Sequence, residues 1–178
     1  MHQSQKPGVL EGVLVGMLLL VSLADAAPWT RRQIAALPDS AFAAVEVTAA
    51  GKKIRHLPHH TPTGALDPAH LLNALARLPQ VQWVDPGKRE AAERHLREHL
   101  QAYRAGRVAQ SRVAFPLHLN SASVSELMAL PFIGRRRADA ILAYRTQRQG
   151  FSRVEELKQV TGIGPVIFEP IADLVTVP

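Results

Sequence analysis

The sequence predicts a mainly α-helical protein, in which a small α+β module precedes a C-terminal domain made of a repeated helical unit. Three observations support this fold class. A helix–turn–helix pattern occurs twice between residues 123 and 175. Two segments in the middle of the chain, 67–78 and 85–106, place leucines at helical spacing. Two short β-type segments, 42–47 and 54–57, lie before them on either side of a glycine turn.

The repeated unit recurs at a spacing of thirty residues, measured from Gly134 to Gly164. Each copy predicts a short amphipathic helix, a tight apolar turn closed by glycine, and a second helix. A supersecondary unit of this length buries its apolar face against its twin. The two copies therefore indicate a tandem helix-hairpin-helix domain, and their matching segments are Val124–Leu127, Leu130–Gly134, Ala138 and Ile141, followed by Val154–Leu157, Val160–Gly164, Phe168 and Ile171.

The turn residues favour a nucleic-acid backbone as ligand. Ile133 and Ile163 are expected to anchor the hairpins in the core, and Gly134 and Gly164 open the following helices. A helix N-terminus carries unpaired N–H groups and about half a positive charge, which suits a phosphate oxygen. Glycine lets the phosphate approach closely. Because neither feature reads bases, we expect binding with little sequence preference.

The C-terminal third resembles the DNA-binding domain of the competence protein ComEA family. The segments that match are Leu119–Leu127, Leu130–Gly134, Ala140–Arg145, Gly150–Phe151, Val154–Leu157 and Gly162–Gly164. The resemblance implies an exported receptor for double-stranded DNA that acts in DNA uptake; related domains are sometimes grouped with type II secretion.

Several residues depart from the family pattern. Phe132 stands where the family usually has glycine, and Pro165 and Pro170 restrict the helix after the second hairpin. The basic residues follow the first hairpin instead. The predicted DNA-binding residues are Ile133, Gly134, Arg135, Arg136, Arg137, Arg145, Arg148, Gly162, Ile163 and Gly164.

Composition bounds the partners. The chain has 178 residues, a formal net charge of +6 and no cysteine, which excludes disulfides and cysteine-based zinc sites. A basic chain favours anionic partners. The charge is unevenly placed, because residues 27–109 hold most of the excess of Lys and Arg, whereas 117–178 are nearly neutral.

Residues 1–26 have the pattern of a secretory signal peptide. An apolar run, Val13–Ala24, precedes small residues at 24 and 26, so cleavage is expected to leave Ala27 as the N-terminus and to place the protein in the periplasm or outside the cell. An uncleaved membrane anchor is the alternative, although the run is short for a bilayer span.

Residues 27–109 are expected to form the α+β module, with 110–116 as a linker and 117–178 as the C-terminal domain. A helix is predicted within Trp29–Leu37. Two further helices should begin at Asp67-Pro68 and Asp85-Pro86, the second ending at Gly106. The module is also similar to a short segment of unknown role in phage-derived and hypothetical bacterial proteins, a likeness that implies no function.

Six of the eight histidines fall in this module. His95 and His99 are four apart on a predicted helix, a spacing that can hold one metal, with the 56–60 histidines as further ligands of a zinc site. The alternative is solvated or singly hydrogen-bonded histidines, and in the absence of carboxylate or cysteine ligands we adopt it. No metal or other cofactor is therefore expected, and a chelator should leave the thermal midpoint unchanged. The six are His56, His59, His60, His70, His95 and His99.

The sequence contains no P-loop, nucleophile elbow or paired acidic motif. We therefore expect a non-enzymatic, exported protein that binds double-stranded DNA without sequence preference and has no small-molecule substrate. The alternative is an exported interaction module that docks on an envelope, secretion or uptake component. An exposed Phe132 at the hairpin tip would favour that alternative.

Overall fold

The computed structural model describes residues 29–178. The predicted signal peptide lies outside these described residues. Among the helices of the described part, none has both the length and the apolar character needed to cross a membrane. The architecture is mainly α-helical, with a small α+β region before a C-terminal helix-hairpin-helix domain, as the sequence predicts.

Within the described residues, the α+β region consists of three α-helices, one strand hairpin and two 3₁₀ helices, Asp39–Ala41 and Leu78–Gln80. Its elements are α1 (Arg31–Ala36), β1 (Phe42–Val47), β2 (Lys53–Pro58), α2 (Pro68–Arg77) and α3 (Pro86–Gln110). Strands β1 and β2 pair antiparallel through a turn that places Gly51 at φ 75°. Asp67 and Asp85 cap α2 and α3 through their side chains, as predicted.

The predicted end of α3 at Gly106 is wrong. Gly106 lies inside the helix, which continues to Gln110 and ends at Ser111, whose backbone is extended. Glycine inside a helix costs about 1 kcal/mol relative to alanine, so it weakens a helix without stopping it. The extra turn carries Arg107, which donates a hydrogen bond to the Met128 carbonyl in the C-terminal domain.

Glu46 of β1 fixes the start of α3. Its buried carboxylate accepts hydrogen bonds from the backbone N–H groups of Val84 and Asp85, and it pairs with His56 at 2.7 Å. Burial alone would raise the pKa of Glu46, but these hydrogen bonds outweigh it and lower the pKa below its ordinary value. The long helix is therefore held against the hairpin by an ionised, well-partnered carboxylate.

The C-terminal domain contains both predicted hairpins. Its elements are β3 (Leu117–His118), α4 (Val124–Leu127), α5 (Arg135–Arg148), a 3₁₀ helix (Val154–Gln159), α6 (Pro165–Phe168), a second 3₁₀ helix (Glu169–Leu174) and β4 (Val175–Thr176). Strands β3 and β4 pair in parallel and bring the ends of the domain together. The predicted interruption at Pro170 is confirmed, because α6 gives way to the second 3₁₀ helix there.

The two regions pack against each other. Leu72 of α2 belongs to the same buried cluster as the hairpin residues, and Leu100 and Tyr103 of α3 contact that cluster. Arg104 of α3 pairs with Asp173. The division at 110–116 stays a prediction, but the segment joins regions that share part of one core.

Candidate nucleic-acid interface

The two hairpin turns have nearly the same backbone. Ile133 and Ile163 are buried, as predicted, and each is followed by a glycine that caps the next helix. Gly134 has φ −92° and ψ −179°, and Gly164 has φ −87° and ψ −178°. A Cβ built on either glycine would meet no atom within 4 Å. Both helix mouths therefore have room for a ligand atom beside the backbone.

Phe132 occupies the turn position that corresponds to Gly162. Both residues have left-handed backbones, with φ 62° at Phe132 and 84° at Gly162. This conformation favours glycine and costs a residue with a Cβ on the order of 1–2 kcal/mol. Phe132 therefore adopts, at a cost, a backbone conformation that glycine would adopt without strain.

The expectation that Phe132 is exposed at the hairpin tip is wrong. Its side chain is 1% exposed and contacts Tyr103 of α3, with ring centroids 4.7 Å apart. The aromatic ring anchors the α+β region on the first hairpin, which supplies apolar contact energy to offset the backbone strain. Burial in turn raises the pKa of the Tyr103 hydroxyl.

Arg137 connects the two hairpins. Its Nη1 donates to the Phe132 carbonyl at 3.0 Å and its Nε donates to the Gly162 carbonyl at 2.8 Å. Burial lowers the pKa of Arg137, and the neighbouring Arg136 lowers it further. An arginine still remains charged at neutral pH. The structure gives Arg137 a structural role, and its predicted phosphate contact stays a prediction.

The other arginines differ in how firmly the fold holds them. Arg145 is half-buried and donates from Nη1 to the carbonyls of Leu119 and Ala122, which also gives it a structural role. Arg148 is exposed and lies over the Tyr144 ring. Arg135 is exposed and pairs with Asp139 one turn along α5, and Arg136 is exposed beside it. Arg135 and Arg136 are therefore the basic side chains best placed at the first helix mouth.

Asn120, part of the family resemblance, joins the start of the domain to the spacer between the hairpins. Its side chain donates to the Phe151 carbonyl at 2.9 Å and accepts from the Phe151 N–H at 2.7 Å. Gly150 has φ 121°, and a Cβ there would lie 3.3 Å from the Asn120 side-chain oxygen. The two hydrogen bonds of the Asn120 amide therefore fix the spacer at Phe151, which leads into the second repeat, against the start of the domain.

A groove of about 700 Å³ runs along the hairpins and is bounded on the other side by α2. Ala69, Leu72, Asn73 and Ala76 of α2 face Gly134, Gly162 and the arginine triplet across it. Sequence reasoning did not find this wall of the site. The sequence did contain a signal, because Leu72 lies beside the helical stripe formed by Leu71, Leu75 and Leu78 and predicts a second apolar face of α2. The structure buries both Leu71 and Leu72.

Histidines of the α+β region form a second polar site. One nitrogen each of His59, His95 and His99 can be chosen so that all lie within 4.8 Å of one another. His59 is fully buried, and its Nε2 lies 3.0 Å from Nε2 of His95. Burial, assisted by the neighbouring imidazoles His60, His95 and His99, lowers the pKa of His59 to about 4, against a raising hydrogen bond to the Leu57 carbonyl. Burial likewise lowers the pKa of His95 and of His99.

The remaining histidines of the module have structural partners. His56 pairs with Glu46, and His70 is buried, stacks on Trp29 at 3.6 Å and lies 3.0 Å from Asp67. His60 borders the triad, with its ring centroid 4.7 Å from that of His99. The expectation of solvated or singly bonded histidines holds for His56 and is wrong for His59, which directly follows β2, is buried and has polar contacts with both the Leu57 carbonyl and His95.

The family model of the helix-hairpin-helix motif matches residues 116–176. ComE operon protein 1 of Bacillus subtilis (strain 168) is 36% identical over 61 residues, which cover 34% of this chain and 30% of that protein. An uncharacterized protein of Haemophilus influenzae is 37% identical over 67 residues, which cover 37% of this chain and 60% of that protein.

A third similarity extends to animal proteins. The Endonuclease/exonuclease/phosphatase family domain-containing protein 1 of Homo sapiens is 40% identical over 55 residues, or 31% of this chain and 10% of that protein. The chain thus spans 30% of the length of ComE operon protein 1 and 10% of the length of the human protein, and each similarity covers a part of this chain about the size of the hairpin domain.

Proposed function

Because residues 116–176 form a helix-hairpin-helix domain of the ComEA type, we propose that the protein binds double-stranded DNA through its phosphate backbone, in a role related to competence. The observation that carries the proposal is the pair of matched glycine caps, Gly134 and Gly164, with open space beside each. Backbone N–H groups at a helix mouth bind phosphate without reading the bases.

Exposed basic side chains support the same assignment at the first hairpin. Arg135 and Arg136 lie in the first turn of α5, which is long enough to develop a helix dipole, and border the groove. At the second hairpin α6 has four residues and begins with Pro165, which lacks an N–H. The first hairpin is thus the stronger phosphate site, and the second adds a weaker one.

We propose further that the protein is exported, has no enzymatic activity, and acts as a DNA receptor on the outer side of the membrane. The similarity to ComE operon protein 1 of Bacillus subtilis supports a competence-related role. Similarity to the animal relatives is limited to 10% of their length. The interaction-module alternative rested on an exposed Phe132, and the burial of that ring removes its support.

A salt titration of duplex binding tests the proposal. The change is the double substitution Arg135→Ala and Arg136→Ala, which spares the structural Arg137. If both side chains neutralise phosphates, the slope of log K against log[salt] becomes shallower by roughly 0.9 for each lost contact. Binding by the parent should not depend on base sequence. The measurement is fluorescence anisotropy with labelled duplexes of unrelated sequence.

Two control variants separate local contact from net charge. Arg31→Ala with Arg32→Ala removes the same charge from α1 and should leave the slope nearly unchanged. In Gly164→Val the added Cβ would meet no atom within 4 Å, so the variant should weaken binding without altering the slope, and thermal unfolding checks that it is folded. Equal slopes for the parent and the Arg135/Arg136 variant would contradict the proposal that the first hairpin binds DNA phosphates.

A further inference from the structure

The histidine triad of the α+β region has the composition and spacing of a metal centre. We propose that His59, His95 and His99 bind one divalent transition-metal ion of the zinc class, with a fourth position open to water. One nitrogen of each imidazole lies within 4.8 Å of the others, and imidazole is the ligand that zinc and its neighbours prefer over oxygen donors. This inference is independent of the DNA-binding proposal.

The hydrogen bonding of His59 sets its tautomer for coordination. Its Nδ1 lies 3.0 Å from the Leu57 carbonyl oxygen, which can only accept, so Nδ1 carries the proton. Nε2 therefore presents a lone pair. A histidine that donates one ring N–H to a backbone carbonyl while the other nitrogen faces its fellow ligands is the arrangement found around bound metals.

The partner nitrogens come from one face of α3. His95 and His99 are four residues apart, so their side chains project from the same side of the helix, and their ring centroids are 4.5 Å apart. Nε2 of His95 faces Nε2 of His59 at 3.0 Å. Two lone-pair nitrogens at that separation would repel each other, so either His95 donates a proton across the gap or a cation lies between them.

A purely structural role accounts for only part of the cluster. One hydrogen bond can join His59 and His95, but the ring nitrogens of His99 have no hydrogen-bond partner among the described residues. Leu57, whose carbonyl orients His59, has a left-handed backbone with φ 60°, a costly conformation for leucine. A bound cation would coordinate His99 as its third imidazole, and the binding free energy would offset the backbone strain at Leu57.

The position of the site indicates what the metal would do. It would join the end of the hairpin to α3, one turn before Tyr103 contacts Phe132. With three protein ligands the coordination shell stays open, unlike the closed four-ligand shell of structural zinc sites. Binding the native state alone would raise thermal stability by mass action, which reverses the outcome expected from the sequence.

Zinc titration of the untagged full chain after chelation tests the proposal. Isothermal titration calorimetry should give one Zn²⁺ per chain, with no binding of Mg²⁺, which prefers oxygen ligands. The thermal midpoint should rise with Zn²⁺ and return to its starting value with chelator. His95→Gln and His99→Gln should each weaken Zn²⁺ binding at least tenfold and abolish the rise in midpoint.

The matched control is His118→Ala, which removes an exposed histidine outside the cluster and should bind Zn²⁺ like the parent. Circular dichroism checks that each variant is folded, and the half-buried His99 is a safer target than the buried His59. The proposal is overturned if the parent binds no Zn²⁺ or gains no thermal stability from it. It is equally overturned if folded His95→Gln and His99→Gln bind as tightly as His118→Ala.

Discussion

The two hairpins have nearly the same turn backbone but differ in the length of the second helix, in the number of arginines and in the residue at the left-handed position. The first has a 14-residue second helix and a cluster of arginines, but a phenylalanine at the left-handed position. The second keeps glycine there, yet its second helix stops after four residues. The phenylalanine is explained by its neighbour, because α3 packs on the first hairpin through Tyr103, and the short helix is explained by the interruption at Pro170.

The comparison shows that the residue which stabilises a turn best depends on the element that packs against the turn. Glycine is the least strained choice at Phe132, but glycine has no side chain with which to hold α3. The phenylalanine accepts backbone strain and gains a buried aromatic contact. At Gly162 a Cβ would lie 3.8 Å from the Arg137 side chain, which is an ordinary van der Waals contact. A side chain there would therefore fit, but it would not gain the buried aromatic contact that Phe132 makes.

Phe132→Ala should have the largest effect on this comparison. It removes a fully buried ring but keeps a Cβ at φ 62°, so the free energy of unfolding should fall by about 3–5 kcal/mol. Phe132→Gly loses the same ring but also relieves the backbone strain. It should therefore be more stable than Phe132→Ala by roughly 1 kcal/mol. Urea denaturation measures both. Equal stability of the two variants would mean that the turn is unstrained.

The DNA affinity of Phe132→Gly distinguishes strain from docking. If Phe132 weakens a phosphate site, restoring the glycine of the family pattern should tighten DNA binding. The structure predicts that the main change is a looser contact with Tyr103, detectable as faster amide exchange in α3. Anisotropy with duplex DNA, at a temperature where the variant is folded, measures the first effect, and hydrogen exchange of α3 measures the second.

Arg137→Ala should rank next, because it removes donors to carbonyls of both hairpins. Hydrogen bonds from a charged donor contribute about 1.5–3 kcal/mol, so the free energy of unfolding should fall by about 2 kcal/mol. Arg135→Ala is the matched control, since this exposed arginine pairs with exposed Asp139, and its effect should stay within roughly 0.5 kcal/mol. A similar loss in both variants would contradict the bridging role of Arg137.

Gly162→Ala and Gly134→Ala compare the turn with the helix cap. Alanine at Gly162 must adopt φ 84°, which should cost about 1 kcal/mol of stability, whereas Gly134 has a negative φ and open space around it. Thermal unfolding should therefore show a loss for the first variant and a smaller change for the second. A reversed order would show that the cap glycine, not the turn glycine, is required by the fold.

The smallest expected effect concerns the first helix of each hairpin. Ser123 and Glu126 form a capping box on α4, and hydrogen bonds from Ser123 lower the pKa of Glu126. Arg153 occupies the matching position of the second repeat and provides no side-chain cap. Arg153→Ser should complete a box with Glu156 and stabilise the protein by about 0.5 kcal/mol.

The pH dependence of that gain is a further check. A box glutamate whose pKa is lowered contributes stability above its unfolded pKa, and the contribution is lost as the pH falls through the folded pKa. The gain from Arg153→Ser should therefore be present at neutral pH and disappear in acid. A gain that persists in acid would come from removing the Arg153 charge instead.

The sequence predicts the hairpins well because their signals are local. Gly134 and Pro170 act through the backbone within a few residues, Ile133 is the apolar residue directly before the cap glycine, and the structure confirms the cap, the interruption and the burial of Ile133. The contacts of Phe132 and His59 are different, since Tyr103 and His95 approach them from distant parts of the chain. Local patterns contain no information about which helix covers a turn, so the buried ring becomes visible only in three dimensions. The spacing of His95 and His99 already offered a metal site as an alternative, but only the fold shows that His59 is the histidine that joins them.

The Arg137 bridge also bears on how strongly a long polyanion would be held. By joining the Phe132 and Gly162 carbonyls, it keeps the mouths of α5 and α6 at a fixed separation. Once one mouth holds a phosphate, the other meets the same strand at a high effective concentration rather than from free solution. Two individually weak sites then give avidity, and a duplex too short to reach both mouths would lose that advantage even though every contact at the first mouth is intact.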